Sequence, residues 1–102
     1  MVVARTVFQL EFGAARQAVA LMRESAQIST RLGLPGEWRL LTDITGEMYT
    51  LVMEVAVEEL HLFDSGQGQL MGDAQQQEIR ARMNPLVRSA RKDMFQVVDL
   101  NS

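Results

Sequence analysis

The chain has 102 residues, too few for more than one domain, and its 47% hydrophobic and 23% charged content is that of a folded globular protein rather than a disordered one. Ten basic against thirteen acidic residues give a net charge of −3, and the basic residues are scattered without a run or interleaved aromatics, which argues against a nucleic-acid surface. The absence of cysteine excludes disulfides, thiol nucleophiles and thiolate metal sites; no apolar stretch approaches the ~18 residues of a membrane span, and Met1 leads directly into a strand pattern, so a cytoplasmic location is expected.

From Val2 to Phe12 the even positions Val2, Ala4, Thr6, Phe8, Leu10 and Phe12 are mostly apolar, while the odd positions Val3, Arg5, Val7, Gln9 and Glu11 are mixed. This period of two predicts a first strand with one strongly apolar face. After Gly13 the period changes: Ala15, Ala18, Val19, Met22, Ala26 and Ser29 fall on one helical stripe, ended by Gly33 and Pro35-Gly36. A helix with so small a stripe suits close packing on a sheet.

Two further strands are expected, from Glu37 to Thr45 and from Glu47 to Val57, closed at Asp43-Ile44-Thr45-Gly46 by a type I turn with a bulge at Gly46. The register stays open. A bulged turn sets Met48 opposite Thr42, whereas a two-residue turn groups Trp38, Leu40, Tyr49, Leu51 and Met53 on one face and Arg39, Asp43, Thr50, Val52 and Glu54 on the other. In both cases apolar side chains lie on both faces of the third strand, so both faces need cover.

Residues 58–63 can start a helix, but the three glycines of SGQGQLMG should break or loosen it. A second helix is expected from Asp73, as N-cap, through Lys92, with Ile79, Met83, Leu86, Val87 and Ala90 on one stripe and a kink at Pro85. Asp93 to Leu100 is rich in strand formers and predicts a fourth strand. The order β-α-β-β-α-β is the α+β, ferredoxin-like plan: a four-stranded antiparallel sheet with two helical segments on one face, in one domain spanning 1–102.

That order, with one sheet face left to be covered, resembles the dimeric α+β barrel superfamily, which includes NIPSNAP-like and antibiotic-biosynthesis-monooxygenase-like proteins. The NIPSNAP third strand has Gly, one residue, Leu, Asn, then a run such as Val-Val-His-Leu-Trp, followed by a helix start. Gly46, Met48, Val52 and Leu60 match it in place, while Tyr49, Met53 and Val55 stand at the Asn, His and Trp positions. The resemblance implies a homodimer packed through the open sheet faces.

Few residues point to chemistry. His61, the single histidine, sits where a general base or haem ligand could stand, with an ordinary helix-end histidine as the plainer reading. Trp38 and Tyr49 could flank an aromatic or quinol-type ligand, or simply fill core and interface. Arg5 and Gln9 share the mixed face of the first strand, and Arg39 and Glu54 can join them from adjoining strands. Such a set could orient a carbonyl-bearing or acidic molecule, or form an ion-pair network. The seven methionines are spread over all elements as core filler would be.

The candidate ligand-binding residues are therefore Arg5, Gln9, Trp38, Arg39 and Tyr49, with Tyr49 and His61 as candidate proton-transfer groups, and neither metal nor organic cofactor expected. The function expected is a homodimer binding a small hydrophobic or carbonyl-bearing molecule in a sheet cavity. Its rivals are a cofactor-independent monooxygenase or isomerase and a structural or regulatory dimer without ligand. No nucleic-acid or membrane partner is expected.

Overall fold

The computed structural model describes residues 1–101. Strand β1 (Val2–Leu10) leads into helix α1 (Ala15–Arg31), followed by β2 (Glu37–Thr42), β3 (Thr50–Val57), α2 (Leu60–Met71), α3 (Ala74–Met83) and β4 (Val87–Gln96). The four strands form one antiparallel sheet in the order β2-β3-β1-β4, which places the first strand inside the sheet and makes β2 and β4 its edges. The ferredoxin-like sheet with helices on one face is as expected; among the described residues the α-helices number three rather than two.

The even residues of β1 face the helices. Leu10, Leu51, Leu21, Ile28, Ile79 and Met83 join one cluster beneath α1 and α3; Val2, Ala4, Val55, Val57 and Phe63 join a second beneath α2. The buried stripe of α1 is centred on Leu21, Ser25 and Ile28, one position round from the Ala-rich stripe read from the sequence. The larger Leu and Ile side chains remove more apolar surface from water than alanines can. The helix ends as expected: Gly33 takes φ +68° while Leu34 N–H donates to Ser29 O and Gly33 N–H to Thr30 O, a Schellman cap.

Two expectations fail between residues 60 and 96. The glycine-rich segment does not break α2, because Phe63, Gly66 and Leu70 form its buried stripe; at Gly66 a Cβ would stand 4.0 Å from Leu34 Cδ1. Burial of that face outweighs a glycine penalty of about 1 kcal/mol per residue. Conversely, the helix begun at Asp73 stops at Met83. Asn84–Leu86 form a single 3-10 turn around Pro85, and Val87 to Lys92 continue as strand, not helix. Pro85 lacks the amide for a further helical bond, and the segment instead supplies the ladder that the outer edge of β1 would otherwise lack. The fourth strand thus ends at Gln96 rather than Leu100.

The β2–β3 pairs run Trp38↔Val55, Leu40↔Met53 and Thr42↔Leu51. This keeps the face grouping of the two-residue turn but pairs each β2 residue four positions further along β3, because residues 43–49 form a seven-residue connection in place of either tight hairpin.

Candidate functional site

Period-two alternation leaves the opposite face of the sheet without cover from this chain. Three ladders define its rows. Arg39, Glu54, Arg5 and Asp93 lie in line across all four strands; Leu41, Val52, Val7 and Arg91 form the next row; Thr50, Gln9 and Ser89 the one after.

The charged row is organised around one carboxylate. Glu54 is only 5% exposed, on the inner strand β3 with an arginine on each side. Arg5 donates through Nε at 2.8 Å to Oε2, and its terminal nitrogen lies 2.7 Å from the same atom. Arg39 donates to Oε1 through Nε at 3.2 Å and a terminal nitrogen at 2.7 Å. Both oxygens are therefore fully engaged, and the hydrogen bonds from Arg39 and Arg5 hold the carboxyl below its ordinary pKa against the opposing effect of desolvation. The Arg5 guanidinium also lies 5.1 Å from the centroid of Phe95.

Beside this row the sheet carries a depression of about 540 Å³. Val7, Leu41 and Val52 supply apolar lining, and Gln9, Thr50 and Arg91 polar groups. Arg91 Nε donates to Asp93 Oδ2 at 3.1 Å. Thr50 Oγ1 lies 3.2 Å from Gln9 Oε1, and Gln9 Nε2 donates to Met48 O at 2.6 Å, so the Gln9 amide braces the β2–β3 connection.

The sequence-selected residues divide. Arg5 and Arg39 come together on Glu54 on the open face, and Gln9 lies on the same face two rows away beside Thr50. Trp38 lies on the helix side, packed against both core clusters. Tyr49 sits at the end of the sheet in the left-handed region, φ +58°, its ring 5.0 Å from that of Phe12. His61 is exposed on α2, with Nδ1 3.1 Å from Glu59 Oε2. Among the described residues no group of three or more His, Asp or Glu side chains is gathered that could hold a metal ion, and no helix is long and apolar enough to cross a membrane. Sequence reasoning misses Arg91 because its segment reads as helix; once residues 87–96 are taken as strand, alternation sets Arg91 beside Val7.

The fold defines the class: an α+β protein with a four-stranded antiparallel sheet, helices on one face and the other face open. Neither a family sequence model nor a curated protein matches the chain. Solved structures match it almost end to end. An uncharacterised NIPSNAP domain protein from Burkholderia xenovorans aligns with a TM-score of 0.84 at 16% identity, covering 98% of this chain and 97% of that one. A NIPSNAP family protein from Agrobacterium tumefaciens gives 0.82 at 16% identity, covering 97% and 94%. A candidate antibiotic biosynthesis monooxygenase from Nitrosomonas europaea gives 0.77 at 12% identity, covering 97% and 100%. The chain has the fold that these proteins share, the one implied by the resemblance of its third strand.

Proposed function

We propose that two copies of the chain pack open face to open face, closing the depressions over Val7 and Val52 into a chamber that binds a small hydrophobic or carbonyl-bearing molecule. The observation that carries this reading is the depression itself. Its volume of about 540 Å³ lies within the ~300–1,000 Å³ typical of small-molecule sites. Leu41, Val52 and Val7 would bury an apolar body, while the terminal nitrogens of Arg91 offer donors to a carbonyl or carboxylate oxygen; the Thr50 hydroxyl is already directed at Gln9 Oε1 and Glu47 O. Arg5 and Arg39 do not line the depression, and their guanidinium groups are occupied by Glu54 in the neighbouring row. A second copy supplies the missing cover and adds burial that a chain of this size can use.

Turnover of an aromatic substrate, in the manner of a monooxygenase such as the Nitrosomonas protein is named for, would need a proton-transfer group facing the chamber. Tyr49 and His61 are not among its lining residues, and the acid–base groups that are there, Asp43 and Glu47, lie at its rim on the β2–β3 connection.

Titration of the isotopically labelled protein with acetophenone, an aromatic carbonyl, tests the reading. Saturable amide shifts are expected at Val7, Leu41 and Val52 and should be lost in Val52→Arg. Shifts centred elsewhere, or equal binding by the variant, would overturn it.

A further inference from the structure

The chain carries nine arginines, and their partners are unevenly distributed. Arg5, Arg31, Arg39, Arg82 and Arg91 pair with carboxylates, and Arg80 donates to Met71 Sδ. Arg16, Arg23 and Arg88 have no such partner among the described residues, and all three line the two hollows that flank Met48 and Tyr49. On a chain of net charge −3, three arginines without an ion-pair partner thus surround Met48 and Tyr49, with Asp43 and Glu47 as the carboxylates that line the same hollows.

The larger hollow, about 490 Å³, lies between α1 and the β2–β3 connection. Arg16 and Arg23 are seven residues apart, so they share one helix face at a spacing of roughly 10 Å. That is close enough for two long side chains to converge on a group between them. Ala15, Val19, Met48 and Tyr49 supply the apolar lining. One carboxylate, Asp43, also faces the hollow, but its Oδ1 accepts Thr50 N–H at 3.0 Å, which fixes it as a staple of the connection.

The Met48–Tyr49 wall is held in place. Leu10 N–H donates to Tyr49 O at 2.9 Å, Gln9 Nε2 donates to Met48 O at 2.6 Å, and the Phe12 ring backs the tyrosine. These contacts maintain a left-handed φ of +58° at a bulky residue, a conformation that costs about 1–2 kcal/mol and persists only where the surroundings enforce it.

We propose that this hollow binds a small organic anion with an apolar or aromatic body, its acid group held between Arg16 and Arg23 and its body against Val19, Met48 and Tyr49. Two guanidinium groups without a carboxylate partner supply charge-assisted donors, and the braced wall limits the ordering needed on binding. The site adjoins the open-face depression at Thr42 and Asp43, but its arginines belong to α1 and it needs no second copy of the chain.

Phenylacetate, with neutral phenylacetamide as its near-isostere, provides the test by amide shift titration. Phenylacetate should give saturable shifts centred on Ala15, Val19, Met48 and Tyr49, and bind at least about tenfold more tightly than phenylacetamide. The double variant Arg16→Gln, Arg23→Gln should weaken phenylacetate by about tenfold or more, while Arg80→Gln, a charge change elsewhere, should leave it within about twofold. Absence of saturable shifts at millimolar phenylacetate, shifts centred elsewhere, equal affinity for the amide, or an unaffected double variant would each overturn the assignment. Both arginines are exposed helix residues, and circular dichroism of the double variant checks that the fold is retained.

Discussion

Replacing Glu54 by glutamine isolates the charged row from everything else on the sheet, because the side chain keeps its size and loses only its charge and one acceptor. Glu54 accepts from both arginines through both oxygens. In the Glu54→Gln variant one of those oxygens becomes an NH2 group that faces a guanidinium and cannot accept from it. Removing one partner of a fully buried ion pair costs about 3–5 kcal/mol, and an exposed pair is worth about 0.2–1 kcal/mol. Here the acid side chain is 7% exposed but those of Arg5 and Arg39 are 42% and 67% exposed, so water can re-solvate them. The expected loss is intermediate, about 2 kcal/mol at pH 7, or a fall in Tm of about 10 °C for a domain of this size.

The pH dependence carries a definite sign. The folded carboxyl is held below its ordinary 4.5, so its stabilisation is present above that value and is lost as pH falls through the lower folded value. Wild type and variant should therefore converge in stability under acid. Urea unfolding followed by circular dichroism between neutral and acid pH measures both effects. A difference below about 0.5 kcal/mol at pH 7, or one that does not change with pH, would refute the reasoning.

Two further substitutions test the scaffold. Gly36 has φ +117°, and a Cβ there would stand 3.0 Å from Ala56 O and Val57 Cγ1; Gly36→Ala should destabilise by about 1–3 kcal/mol in urea unfolding. Leu51 is fully buried at the join of β3 with the α1 cluster, and Leu51→Ala should cost about 2–5 kcal/mol by the same measurement.

The parts of the fold that follow local periodicity are legible in the sequence. Alternation from Val2 to Leu10 marks a strand and its two faces, and with the β2–β3 pattern it brings Arg5 and Arg39 to Glu54, while Gln9 lies two rows away. The parts set by tertiary packing are not legible in this way. Glycines at 66 and 68 read as a break, yet the buried face carrying Phe63 and Leu70 keeps α2 intact. VRSARK has no decisive period of its own, and pairing with β1 makes it a strand. Taken as helix, that segment conceals Arg91. Tyr49 reads as a strand residue, because nothing in its local sequence signals a left-handed backbone held by Gln9 and Leu10.

The central claim, that the open sheet face is closed by a second copy to form the binding chamber, is tested most directly by sedimentation equilibrium of wild type and Val52→Arg over a range of concentrations. Val52 lies in the middle of the apolar row, paired with Val7 and Leu41. A buried arginine there would face its own symmetry mate or an apolar wall without a counter-ion. The account predicts a wild-type mass of twice 11.5 kDa and a folded Val52→Arg monomer. A wild type that sediments as a monomer at micromolar concentration, or a Val52→Arg variant that remains a dimer, would contradict it.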